Sequence, residues 1–351
     1  MGMFEDGEKG SPVIACELME TALKRSKGVN PALDAVFIEK KYADALKKNI
    51  SKYPFAQVVP GNYEKEVEQL KQLGQGRSLF LYVDPYGVKH LDCNVFCVLS
   101  SLYESAEVLL NFNSFGFFRA ACAQLGVEYN DVEEFDEILE IDPWTYSPGS
   151  DASSQLTRAI GGDYWRDIVL DYMRGEIDGY EAELRLTVEF CNHLRGSYKY
   201  VLNIPVKMGE SHHPKYRMIH MSNHHDGCLL MYESMRKRLD DLFDIQHDGQ
   251  TSLFKQDKEN NYVNVEEELR KFDMHVEGYE EYIQLEIVLA EFVTCLELGL
   301  TLKELRDHVK ELEKAGKIDV KRTPEFSERT GKRLTFIESN HSKKIYVRKH
   351  K

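Results

Sequence analysis

Arg77-Ser78-Leu79-Phe80-Leu81-Tyr82-Val83-Asp84-Pro85-Tyr86-Gly87 is the stretch on which the reading of the fold turns. Its apolar run, Ser78–Asp84, is short and rich in β-formers, and it is closed by an acid, a proline and a glycine that end a ladder. Working outward, the same kind of run recurs at Asp34–Glu39, Phe55–Val59 and Ala106–Phe112. Segments with helical spacing of apolar residues lie between these runs: Pro12–Lys27, Tyr42–Ser51, Tyr63–Gly74 and Leu91–Tyr103. Strands alternating with helices of this size imply βαβ units and a mostly parallel sheet buried on both faces.

Ser114–Leu194 reads as helical, most clearly at Asp131–Glu140, Tyr164–Arg174 and Gly179–Leu194, with a loop at Pro143–Gly149. Two strand candidates follow, Tyr198–Lys207 and Lys215–Ser222, close enough for an antiparallel hairpin. A parallel sheet ending in such a hairpin is the methyltransferase-type variant of a Rossmann-like α/β fold. Asp226–Asp244 is an amphipathic helix, and Gln246–Asn264 reads as a polar linker. Glu280–Leu298 and Leu302–Ala315 read as two more helices, the second opened by a Thr301/Glu304 capping-box pattern. Lys317–Thr323, Arg333–Ile337 and Lys344–Arg348 are β-prone pieces joined by basic turns, which completes a winged helix-turn-helix outline. The expected division is therefore 1–245 for the α/β domain with a helical insertion at about 114–194, 246–279 for a linker and helix, and 280–351 for a basic module.

Ligands of such a fold bind at the carboxyl ends of the strands. Three places qualify. Glu39, in Val36-Phe37-Ile38-Glu39-Lys40, is either a ribose-diol acceptor or a solvated strand-end carboxylate. Asn62, in Gly61-Asn62-Tyr63, either meets an adenine amino group or caps the following helix. Asp84-Pro85-Tyr86-Gly87 matches the arrangement in which amino-methyltransferases grip an exocyclic amine between a polar side chain and a proline carbonyl, with an aromatic ring stacked on the base; it lacks the second proline of the usual pattern, and a plain turn is the other reading. On the first reading Asp84, Pro85 and Tyr86 catalyse by positioning.

With these residues in place, the chain resembles the three-Cys-motif partner (TcmP) family. The likeness runs through Phe4–Pro12, Phe37–Lys40, Val83–Gly87, Leu110–Phe112, Asp163–Trp165 and His220–Gly227. It implies a methyltransferase-like domain that takes S-adenosylmethionine, a C-terminal winged-helix module, and a partner protein with a radical-S-adenosylmethionine-like three-cysteine motif. Family members carry a further strand and an Asp-x-Phe-Ala-Gly-x-Gly-like loop upstream of this segment. Of that cofactor loop only Gly2 is represented here, and Pro12–Lys27 is likewise a crossover helix without a strand before it.

The chain has 351 residues and a net charge of −14, but the charge is unevenly placed. Lys317–Lys351 holds eleven Lys/Arg against four Asp/Glu, which makes this tail +7 and the rest −21. The tail is a candidate for DNA or RNA contact through Lys321, Arg322, Lys332 and Arg333, all expected to face solvent; docking to a protein is the alternative. No apolar run approaches the roughly 20 residues of a membrane span, the first residues lack a signal-peptide pattern, and the seven scattered cysteines fit reduced core thiols, so a cytoplasmic protein is expected. His212, His213, His220, His224 and His225 lack a cysteine pair or metal-ligand spacing, and no metal site is expected. Cys93 and Cys97 lie four apart on one helix face with no third partner evident, and read as core thiols. No Gly-x-Ser-x-Gly elbow, His-Glu-x-x-His or Walker-type loop occurs. Two functions stand against each other: an S-adenosylmethionine-dependent methyltransferase-like enzyme acting on nucleic acid, and a non-catalytic nucleic-acid-binding or docking partner.

Overall fold

A computed structural model describes residues 9–26, 32–61, 70, 76–85, 91–129, 150–206, 214, 216–247, 264–295 and 300–350. The chain is mixed α/β, with eleven helices and nine strands among these residues. Gly2, Asn62, Tyr86, His212 and His213, the helix expected at Asp131–Glu140 and the loop at Pro143–Gly149 lie outside the described residues, as does all of the helix expected at Tyr63–Gly74 except Leu70. No described helix is long and apolar enough to cross a membrane.

The chain divides into two compact units, Met1–Gln75 and Gly76–Lys351. In the first, α1 (Ser11–Arg25) and α2 (Ala43–Ile50) accompany a parallel pair, β1 (Ala35–Glu39) and β2 (Ala56–Pro60). Val13, Cys16, Leu46, Ile50 and Tyr53 form its core.

The second unit opens with β3 (Ser78–Val83), α3 (Cys93–Leu102), β4 (Ser105–Phe112) and α4 (Ser114–Gln124). Then come α5 (Ser150–Ile160), α6 (Trp165–Met173), α7 (Gly179–Arg195) and the hairpin strands β5 (Tyr200–Val206) and β6 (Tyr216–Ser222). The sheet order is β3-β4-β6-β5, parallel at β3/β4 and antiparallel elsewhere. The expected antiparallel hairpin is there. Among the described residues the parallel ladders are β1/β2 in the first unit and β3/β4 in the second.

Strand β4 shows why one face is solid. Ala106, Val108, Leu110 and Phe112 are all buried, and Phe112 stacks on Phe190 of α7 with ring centroids 4.6 Å apart. The alternate residues of β4 are only partly buried, and on β3 Phe80 and Tyr82 are 57% and 50% exposed. The sheet is thus not buried on both faces at its β3 edge. Beneath the solid face, Arg217 of β6 donates through Nε and Nη2 to both carboxylate oxygens of Glu183 on α7, at 2.6 and 2.8 Å, and both side chains are buried.

The remaining elements are α8 (His225–His247), α9 (Val265–Glu277), β7 (Ile283–Gln284), α10 (Leu285–Val293), α11 (Leu302–Lys314), β8 (Ile318–Thr323) and β9 (Lys344–Lys349). The three strands form an antiparallel sheet in the order β7-β9-β8. The helix expected from Glu280 starts only at Leu285, because Ile283 and Gln284 pair with Val347 and Tyr346 of β9. Arg333–Ile337 forms no strand; it contributes an isolated bridge between Phe326 and Arg333. Nor does a domain boundary fall near residue 245: Tyr200, Leu202 and Ile204 of β5 and Cys228, Leu229 and Tyr232 of α8 share one core with Phe272, Leu289 and Leu305. Burying apolar side chains from both segments together removes more surface from water than two separate small cores would.

Candidate functional site

Strand β3 stops at Val83 because Pro85 has no N–H to offer a ladder. Asp84 sits just past the strand's carboxyl end and is exposed. Val83 pairs with Leu110, which brings the next residue of β4 alongside: Asn111 Nδ2 donates to Asp84 Oδ1 at 2.8 Å. The amide oxygen of Asn111 is buried and has no hydrogen-bond partner. An exposed carboxylate and an unused amide acceptor are therefore placed together at the ligand-binding end of a parallel strand pair.

Two tyrosines sense Asp84. Burial and, after it, the Asp84 charge push the Tyr82 phenol up to about 12, and the same two causes raise Tyr216 on the neighbouring hairpin. Of the sequence candidates, the structure describes Asp84 and Pro85 here. Asn111 and Tyr216 escaped the sequence reading, although Leu110-Asn111-Phe112 is one of the stretches carrying the family resemblance.

Further from the strand ends, the fully buried His220 of β6 meets Glu107 of β4, Nε2 to Oε2 at 3.1 Å. Gly227 allows this carboxylate its place, since a Cβ there would lie 2.5 Å from Glu107 Oε1. His220 is thus a sheet histidine paired with a carboxylate.

Glu39 ends β1 as expected, in the first unit. Its Oε1 accepts from the backbone N–H groups of Lys41 and Tyr42 at 2.8 and 3.0 Å. Partial burial pulls its carboxyl up, but these donors outweigh it and hold the group below the usual carboxylate range. One oxygen thus fastens the turn into α2.

The basic tail sorts itself by strand alternation. On β8, Ile318, Val320 and Arg322 point inward, while Asp319, Lys321 and Thr323 lie on the other face with their β9 partners Arg348, Tyr346 and Lys344. Arg322 is consequently not solvent-facing. It is 4% exposed, donates to Glu313 on α11 at 2.7 and 2.6 Å, and donates through Nε to the Phe336 carbonyl. Lys321, Lys332 and Arg333 are exposed, the last within 3.5 Å of Glu325. On the outer face Arg348 and Lys321 lie over the Tyr282 ring, 4.4 and 6.0 Å from its centroid. This face carries Lys321, Lys344, Tyr282 and Tyr346, with Arg348 held by Asp319 of the same face at 3.0 and 2.8 Å.

Two groups of potential metal ligands come together among the described residues: Cys93 with Cys97 and His193, and His224 with His225 and Asp226. The second is three consecutive residues at the start of α8, with the two imidazoles stacked 4.5 Å apart. The first supplies the third partner that the sequence reading did not find for the cysteine pair. A hydrogen bond from Cys93 holds the Cys97 thiol down to about 5 against the effect of burial, aided by Ser197 and His193, while that donation and burial push Cys93 far up.

No protein-family model, no curated protein and no solved structure matches this chain.

Proposed function

We propose that this chain is a methyltransferase-like protein of the three-Cys-motif partner kind that engages nucleic acid and orients an exocyclic amine at Asp84. The observation that carries the reading is the Asp84–Asn111 pair at the carboxyl ends of β3 and β4, with Tyr82 and Tyr216 beside it. Asp84 accepts from the N–H donors of the amine, held in place by Asn111 Nδ2, and fixes the direction of its lone pair, which is catalysis by positioning. S-adenosylmethionine, when bound, would supply the methyl group.

The strand order β3-β4-β6-β5 supports a methyltransferase-type sheet, and the run helix, strand, helix, helix, strand, strand with order β7-β9-β8 supports a winged helix-turn-helix module. Within that module α11 is a poor reader of nucleic acid. Its Lys310 pairs with its own Asp307, and its Arg306 faces Glu233 and Glu338. Nucleic acid is instead met by the outer sheet face through Lys321 and Lys344, since Arg348 is itself paired with Asp319.

One observation favours a second reading, a non-catalytic partner that binds nucleic acid or docks the three-Cys-motif protein. Glu39 already serves the turn into α2 with one oxygen, so cofactor binding is not its only role. Transfer of a radiolabelled methyl group to DNA, RNA or the three-Cys-motif protein separates the two. Labelling that is lost in Asp84→Ala with cofactor affinity kept supports the enzyme. No labelling of any acceptor, with nucleic-acid binding retained, supports the partner.

A further inference from the structure

We propose that Cys93, Cys97 and His193 form a binding site for a thiophilic divalent cation, with zinc as the representative, using two thiolates and one imidazole and leaving a fourth position open. Nothing in the methyltransferase reading requires this site, and it stands on different residues.

The site is built by two helices. Cys93 is the first residue of α3 and Cys97 lies one turn later, so their side chains fall on one face of the helix. Asp92 caps that helix by accepting from Asn94 N at 3.0 Å, which fixes its first turn. The unsatisfied N–H groups of a helix start favour negative charge, here the thiolate that a metal requires. His193 comes from the last turn of α7, and the ligand atoms of all three residues lie within 4.8 Å of one another. A tetrahedral zinc centre needs S···S and S···N separations of about 3.5–3.8 Å, given its bond lengths, so small side-chain adjustments suffice.

The imidazole is held in place from behind. Gly161 adopts φ +81, and a Cβ there would stand 2.5 Å from Cδ2 of His193 and 2.6 Å from its Nε2. Only glycine permits both the backbone conformation and the close approach of the ring. Access is graded, since Cys93 is buried while Cys97 and His193 are half-buried, giving the ion a way in. Gly161 and Asn94, neighbours of the ligands, also wall a cleft of about 390 Å³ with Arg158, Asp163 and Arg166. Three protein ligands and an open position is the arrangement of reactive rather than purely structural zinc sites. By contrast Cys16, Cys122 and Cys228 belong to no such group of ligands among the described residues.

Cobalt(II) tests the site, because tetrahedral cobalt–thiolate coordination has characteristic visible and near-ultraviolet bands. The reduced, metal-free full-length chain is titrated with cobalt, then with zinc. The expected result is one equivalent of tetrahedral cobalt with sulfur-to-cobalt charge transfer, displaced by zinc. Cys97→Ser should halve the charge-transfer intensity, and His193→Gln should weaken cobalt binding by at least about 100-fold, more than the loss of an outer-shell partner. The cooperative melting transition of the apo protein, retained in both variants, ties these losses to ligation. Absence of charge-transfer bands in the reduced parent overturns the proposal. So do bands that persist unchanged in both variants, which would place the metal at another thiol such as the exposed Cys295. A Cys93–Cys97 disulfide that survives reduction of the folded chain likewise overturns it.

Discussion

The guanidinium of Arg322 is clamped to the carboxylate of Glu313 through two hydrogen bonds of 2.7 and 2.6 Å, joining β8 to the end of α11. A third bond, from Nε to the Phe336 carbonyl, ties in the loop before β9. A residue that by charge alone belongs to a phosphate-binding tail is thereby a structural element of the module's interior.

Arg322→Ala should destabilise the second unit by about 3 kcal/mol, because it leaves the Glu313 carboxylate and a carbonyl without their donor. Urea unfolding of the variant and the parent gives the difference. A change within about 0.5 kcal/mol, the range of ordinary surface substitutions, would show the clamp to be dispensable.

The same pair sets a dependence on pH. Hydrogen bonds from Arg322 hold the Glu313 carboxyl below its ordinary range despite partial burial. Its folded value is depressed, so the unfolded state binds more protons in the acid range. The stabilisation is fully present above the unfolded carboxylate value and is lost as pH falls through the folded one. Stability measured from neutral to acid pH should therefore fall less steeply in Glu313→Gln than in the parent.

Nucleic-acid affinity should depend on salt through the outer sheet face. Each Lys or Arg on a duplex phosphate contributes about −0.9 to the slope of log K against log salt. Replacing Lys321 and Lys344, together with the exposed Lys332 of the connection between β8 and β9, with alanine should flatten the slope by roughly 2 to 3. Arg322→Ala should leave the slope of the folded protein nearly unchanged. Fluorescence anisotropy across a salt series reads both, and a parent affinity indifferent to salt would assign the tail to protein docking.

The buried Arg217–Glu183 pair predicts an asymmetry between single and double substitutions. Arg217→Met alone strands a buried carboxylate and should cost about 3–5 kcal/mol. Adding Glu183→Leu should recover a large part of that loss, since apolar groups of similar volume need no partner. Thermal or urea unfolding of the parent and the two variants tests it, and a double variant no better than Arg217→Met would argue that the pair holds β6 on α7 in a way packing cannot replace.

Much of the fold was legible locally. The apolar runs at Ser78–Val83 and Ser105–Phe112 are strands, and the Thr301/Glu304 pattern closes as a reciprocal capping box, with Thr301 N donating to Glu304 at 2.6 Å and Glu304 N donating to Thr301 Oγ1 at 3.1 Å. Where reading went wrong, a distant partner had intervened. Glu280–Gln284 has helical spacing, but β9 takes Ile283 and Gln284 as strand partners. Arg333–Ile337 has β propensity, yet it forms only one bridge, with Phe326. Of the candidate site, Asp84 was visible because a strand ending in Asp-Pro marks itself; Asn111 was not, since its value lies in reaching across to the neighbouring strand.

Sequence by itself determined the strand–helix–strand run from Ser78 to Phe112, the antiparallel hairpin after the helical segment, the Thr301/Glu304 cap and the concentration of positive charge beyond Lys317. These follow from the periodicity and chemistry of residues within a few positions of one another. Only the tertiary structure decided that Arg322 turns inward while Lys321 turns outward, that β5 and α8 share a core with the C-terminal helices, and that His193 closes on Cys93 and Cys97. Each of these depends on contacts between different elements of the chain. It is set by which buried surfaces pack and which charges must then find partners, and a local pattern carries no record of that choice.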